Sequence, residues 1–218
     1  MASEELNNSD ALIAAVGERV EWMVPVDACS ICACTPDEGG GCDERLIHEL
    51  VFSMLLWEST MENAVRAMEK IREHVVDYNE LRVCFPHEVE ALLGSRYQRA
   101  GDRSVRLITV LGEIFEKFQK LTLEPLREMN KREARDVLMG FESLPRFVVS
   151  RVMLLGLDAH ALPLDSKIAR ALHKAKLIES AKNPDTIAVS LERSIRANQS
   201  LETYTRIERW LIAFENGS

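Results

Sequence analysis

Apolar positions recur at intervals of three and four residues along most of the chain, and no stretch alternates apolar and polar residues convincingly. That pattern predicts an all-α protein. From Glu44 onward, Leu46, Ile47, Leu50, Val51, Met54 and Leu55 share one helical face. Ser59 or Thr60 is the expected cap of a second helix carrying Ala64, Val65, Met68, Ile71 and Val75. After a polar linker region from Gly94 to Gly101, Leu107, Ile108, Leu111, Ile114, Phe115 and Phe118 form a long core stripe.

Asn130 is the expected cap of a helix bearing Val137 and Leu138, and Gly140 and Pro145 bracket a turn. The run from Pro145 to about Leu155 is interrupted only by Ser150 and Arg151, which predicts a helix buried on most sides and ended by Gly156. A loop at 157–164 holds Asp158, His160 and Pro163. The next helix opens near Asp165 with Ile168, Ala169, Leu172 and Leu177 turned inward. Asn183 and Pro184 start another helix, and the last contains Tyr204, Ile207, Trp210, Leu211 and Phe214. Neither a repeat nor a low-complexity segment interrupts this order.

Composition narrows the class. Of 218 residues, 46% are hydrophobic and 28% charged, enough to build a core and to exclude intrinsic disorder. The 27 Lys+Arg against 35 Asp+Glu give a net charge of −8, which argues against coating nucleic acid by bulk charge. The charge is unevenly spread: residues 1–95 carry 6 basic and 19 acidic side chains, and residues 96–218 carry 21 and 16. A local basic surface in the second part is therefore compatible with the sequence, because a phosphate senses charges within about 8 Å. The start, MASEELNNSD, lacks the pattern of a signal peptide, and no apolar run approaches the roughly 20 residues of a membrane span. A soluble, cytoplasmic protein is expected.

Four of the five cysteines crowd into one short stretch, Cys29, Cys32, Cys34 and Cys42, with the spacing C-x2-C-x-C-x7-C. This is unlike a disulfide framework. Four thiolates could enclose a tetrahedral Zn²⁺ or an iron–sulfur centre, with Asp27 and His48 as substitute ligands, or the cysteines could be reduced, unliganded thiols. The chain contains no GxxxxGK[ST], no dinucleotide fingerprint after a strand, no GxSxG and no HExxH.

The stretch 131–170, KREARDVLMGFESLPRFVVSRVMLLGLDAHALPLDSKIAR, reads as helix, tight turn, buried helix, short loop and a helix start at Leu-Pro-Leu-Asp-Ser-Lys. It resembles the helix-hairpin-helix core of the endonuclease III-like DNA glycosylases. That family has a Leu-Pro-Gly-Val-Gly hairpin that offers N–H groups to a DNA phosphate, followed by a catalytic Asp. The resemblance puts the catalytic Asp at Asp165 and the hairpin at Phe141 to Pro145. The upstream segment LIHELVFSMLLWESTMENAVRAMEKI resembles the family's helix whose Gln-containing end contributes to the base pocket. Glu58, beside Trp57, stands at that Gln position.

The departures from the family pattern are specific. Ser143 and Pro145 replace both hairpin glycines, and Pro145 has no N–H to donate. Phe147 stands where bifunctional members carry a Schiff-base lysine, which disfavours a lyase step. No cysteine follows Cys84, so the family's C-terminal iron–sulfur cluster is absent from the sequence.

The resemblance thus implies a two-lobed fold, with one lobe at 44–159, including a degenerate hairpin at about 131–156, and a second formed by 1–43 plus 160–218. It implies a monofunctional base-excision glycosylase acting on double-stranded DNA, with Asp165 catalytic and Glu58 and Trp57 in the base pocket. Ser143, Leu144, Arg146, Arg151, Ser166, Lys167 and Arg170 are the expected DNA contacts. Two alternatives stay open: Asp165 is also an ordinary helix N-cap by position, and the lost glycines suit a non-catalytic DNA-binding or protein-interaction module on the same fold.

Overall fold

The computed structural model describes residues 45–216, with side chains through Phe214. Among the described residues there are ten α-helices and no strand. They are α1 (Arg45–Leu56), α2 (Met61–His74), α3 (Tyr78–Val83), α4 (Pro86–Leu93), α5 (Ala100–Phe118), α6 (Lys131–Met139), α7 (Arg146–Arg151), α8 (Ser166–Lys174), α9 (Pro184–Ser194) and α10 (Ser200–Asn216). Short 3-10 turns lie at Glu124–Arg127 and Ala197–Gln199. No helix of the described residues is long and apolar enough to cross a membrane.

The central helix is α1. Leu46, Ile47, Leu50, Val51, Met54 and Leu55 are all fully buried, and the helix packs against α2, α5 and α7. Polar caps fix the helix starts where the sequence placed them. Thr60 Oγ1 accepts from Asn63 N–H at 3.2 Å, Asn130 Oδ1 from Arg132 and Glu133, and Asn183 Oδ1 from Thr186. Asp77 does the same for α3 through Glu80 N–H at 2.8 Å. Helices α3 and α4 were not anticipated, because six and eight residues give too little period to read.

Several expectations need correction. Val65 is 42% exposed instead of inward-facing, and Val75 is the C-cap of α2 rather than part of its interior. The stretch from Gly94 to Gly101 is only in part a polar linker. Tyr97 is buried with its hydroxyl donating to Leu55 O at 2.7 Å, and α5 has begun by Ala100. Leu177 lies beyond the end of α8, its N–H closing a turn on Leu172 O at 2.9 Å.

The buried helix starting after Pro145 widens after Arg151 into a π-helical turn, Val152–Gly156, closed by Leu157 N–H on Val152 O at 3.1 Å. Gly156 faces α1 so closely that an added Cβ would sit 2.5 Å from Leu46 Cδ2. A glycine therefore lets the turn rest on the central helix. In the C-terminal part α8 packs against both α9 and α10, and α10 also touches the π turn.

Candidate functional site

Asp165 is the N-cap of α8 and is 4% exposed. Its Oδ1 accepts from Ile168 N–H at 2.8 Å, the ordinary capping bond, but its Oδ2 accepts from Glu58 N–H at 2.6 Å, across from the end of α1. Burial pushes its carboxyl above the usual carboxylate range, outweighing those two N–H bonds and the charge of Lys167.

Asp165 lines a pocket with an apolar wall that includes Leu56, Met61, Ile168 and Leu211. Phe147 lines it too, so the two positions at which the family resemblance puts its Asp and its lysine share one cavity. Ser59, Lys167, Tyr204 and Glu208 supply the remaining polar edge, and Lys167 Nζ also donates to Ser59 O at 2.7 Å. The pocket holds about 380 Å³ counting its open mouth, and its enclosed part is narrow. In this arrangement it takes water rather than a base.

Glu58 sits in the left-handed region at φ 53°, as the second residue of the two-residue turn that follows α1. Buried Arg103 holds this end by donating to the carbonyls of Met54, Trp57 and Gln98. The Glu58 carboxylate accepts from Ser166 Oγ and pairs with Arg99 Nη1 at 2.7 Å. Burial would raise its pKa, but the bonds from Ser166 and Arg99 and the charges of Arg99 and Arg170 outweigh that and hold it below the usual range. Glu58 thus touches the catalytic candidate through its backbone, while neither Glu58 nor Trp57 is among the residues lining the pocket. Trp57 instead lies under guanidinium groups, with Arg99 at 4.5 Å and Arg106 at 5.6 Å from its ring centroid.

In the turn at 141–145, Leu144 is buried and its N–H closes on Phe141 O at 3.1 Å, so that amide is spent within the turn. Ser143 O faces Arg106 Nη1 at 3.5 Å. Arg146 is exposed and pairs with Asp185 at 3.4 Å, and Arg170 is exposed. Ser166 is turned to Glu58.

Arg151 does not lie on an approach surface. It is 2% exposed, bonds through Nε to Glu49 Oε1 at 3.2 Å and Ser53 Oγ at 3.0 Å, and through Nη1 to Tyr204 and Glu208. Burial alone would lower its pKa, but Tyr204, Glu208 and Glu49 raise it. A guanidinium in an apolar helix needs carboxylates, and two come from α1 and α10. The polar interruption at 150–151 therefore marks an internal ion cluster tying α1, α7 and α10.

Tyr204 and Glu208 belong both to that cluster and to the pocket wall. In the sequence Tyr204 reads only as a core position and Glu208 does not stand out, because nothing local links α10 to a site formed more than 35 residues earlier. Cys29, Cys32, Cys34, Cys42 and Asp27 lie outside the described residues. His48 Nδ1 lies 2.6 Å from the Tyr78 hydroxyl, and burial and Arg72 lower its pKa.

No family model matches the chain, and no curated protein matches it by sequence. Solved structures do match. Endonuclease III trapped in a covalent intermediate with DNA, an estranged-adenine complex, superposes with a TM-score of 0.64 at 11% identity, over 95% of this chain and 84% of that one. The H. pylori 3-methyladenine DNA glycosylase MagIII bound to 1,N6-ethenoadenine gives 0.63 at 12% identity, over 98% and 97%. A thermostable thymine-DNA glycosylase gives 0.58 at 10%, over 98% and 87%. The chain has the endonuclease III-like, all-α helix-hairpin-helix glycosylase fold.

Proposed function

We propose that this chain is a cytoplasmic base-excision glycosylase of the monofunctional kind, hydrolysing the N-glycosidic bond of a damaged or mismatched base in double-stranded DNA. The observation that carries the reading is Asp165, a buried carboxylate fixed by two N–H groups on the wall of a pocket whose other wall holds Phe147. As C1′–N breaks, positive charge grows on the sugar, and a fixed carboxylate stabilises it. The raised pKa suits Asp165 to take the proton of the attacking water as its oxygen bonds C1′, while the base leaves with the C–N electron pair and is protonated by solvent. Phe147 offers no amine, so the chemistry stops at the abasic site.

The target nucleotide must leave the stack, and the pocket must widen to receive it. Single-turnover base release from a panel of lesion-containing duplexes, developed with hot alkali, tests the reading. Release by wild type and none by Asp165→Asn supports it. No release from any lesion by a folded protein that binds duplex overturns it in favour of a non-catalytic DNA-binding or protein-interaction module. The narrowness of the enclosed part of the pocket is the observation favouring that second reading.

The four cysteines at 29, 32, 34 and 42 remain a candidate ligand set for Zn²⁺ or an iron–sulfur centre. Stoichiometric metal in protein purified under reducing conditions supports it, and substoichiometric metal counts against it.

A further inference from the structure

The segment RYQRAGDRSVR, 96–106, carries arginines at 96, 99, 103 and 106. Arg103 is the buried one, spent on the carbonyls at the end of α1. Arg99 and Arg106 flank the same helix end, and Arg96 lies three residues before Arg99 in the chain. Arg99 stacks on Trp57, Arg106 lies over the same ring, and Asp102 holds both through Oδ2 and Oδ1 at 2.9 Å. Arg96 is exposed and makes no hydrogen bond or ion pair among the described residues. Arg106 also reaches Ser143 O, so the cluster abuts the hairpin.

Two hairpin positions offer no donor: Pro145 has no N–H, and that of Leu144 closes the turn. The Arg106 guanidinium lies beside it, pre-ordered with that of Arg99 on an indole face, and exposed Arg96 adds a third in the same segment. Ordering long side chains before binding lowers the entropy cost of contact, and a guanidinium is well suited to phosphate oxygens.

We infer that Arg96, Arg99 and Arg106, the last two ordered on Trp57, form a phosphate-gripping surface for duplex DNA next to the hairpin, making up for the donors that Leu144 and Pro145 do not offer. The inference rests on the DNA reading above and adds which surface meets the backbone.

The test is the salt dependence of binding to a short fluorescent duplex, read by anisotropy. Each arginine that neutralises one phosphate contributes about 0.9 to the slope of log K against log salt. The triple Ala variant should lose about 2.7 from that slope, and the triple Lys variant should keep it. Arg96→Ala, which breaks no partner contact, should lose about 0.9 without disturbing the fold. Trp57→Leu should weaken binding with the slope unchanged, because it removes order and no charge.

Triple Ala and Arg96→Ala proteins that bind like wild type would overturn the inference. If wild type nevertheless releases a base, the glycosylase reading stands and this surface assignment alone falls. Absence of any duplex binding by wild type, even at low salt, would overturn the inference together with the reading beneath it.

Discussion

The backbone N–H of Glu58 donates to Oδ2 of Asp165 over 2.6 Å, joining the end of α1 to the start of α8. A capping aspartate needs only one such bond, and Asp165 already has it from Ile168. The second bond fixes the carboxylate plane, and it comes from a residue whose φ of 53° is unusual for a side chain of this size. Local geometry is thus committed to orienting one carboxylate.

Burial raises the Asp165 pKa, so between the unfolded and folded values the folded state binds more protons than the unfolded chain. Stability from this group then falls as pH rises through that window. The stability of wild type relative to Asp165→Asn should therefore shift in favour of wild type as pH is lowered from neutral through the folded pKa. Denaturant midpoints of both proteins across a pH series measure it, and a pH-independent difference would contradict the assignment.

Glu58 has the opposite sign. Its folded pKa is depressed, so its contribution is present above the usual carboxylate range and disappears as pH falls through the folded value. Glu58→Gln should destabilise at neutral pH by less than about 1 kcal/mol, because its ion-pair partner Arg99 is substantially exposed. That deficit should narrow in acid. A deficit that stays constant from neutral to acid pH in urea titrations would show that the charge is not what stabilises the turn.

Arg151→Met should cost about 3–5 kcal/mol, since it leaves the carboxylates of Glu49 and Glu208 without their cation in an enclosed site. The accompanying expectation separates structure from binding: the salt slope for duplex DNA should stay at the wild-type value. Chemical denaturation gives the first quantity and anisotropy the second, and a reduced slope would return Arg151 to the DNA-facing set.

That residue also shows where the sequence was legible and where it was not. Helical stripes with strong caps were readable: Asn130, Asn183 and Thr60 start their helices as expected, and the run after Pro145 is buried. The spacing that placed Asp165 and Phe147 at equivalent family positions brought both to one pocket. An arginine in an apolar run, by contrast, reads alike whether it reaches outward or meets buried acids, and its partners Glu49 and Glu208 are 102 and 57 residues away. An aromatic ring at a helix end likewise reads alike whether it faces a cavity or supports cations, and in the structure Trp57 carries Arg99 and Arg106 over its ring.

Gly156→Ala should destabilise by about 1–3 kcal/mol, the range for overpacking, because the new methyl group meets Leu46 Cδ2 on α1. Leu46→Ala alone removes a fully buried side chain and should cost about 2–5 kcal/mol. In the double variant the clash is relieved, so the combined loss should be smaller than the sum. A double-mutant cycle from urea unfolding measures that coupling, and strict additivity would mean that the π turn moves away from α1 instead.

Phe147 and Asp165 facing one pocket allow a gain-of-chemistry test. An amine at 147 would lie in an enclosed, mostly apolar site, where burial lowers a lysine pKa and frees its electron pair. Attack on the C1′ aldehyde of an abasic site would form an imine with loss of water, and borohydride would reduce that imine to a stable protein–DNA link. Lys167 lines the same pocket, so Lys167→Arg is the background of choice. In that background Phe147→Lys should yield a trapped complex and Phe147 should yield none. Circular dichroism establishes that the variant is folded. A folded Phe147→Lys protein that binds abasic duplex without being trapped would show that position 147 does not face the sugar.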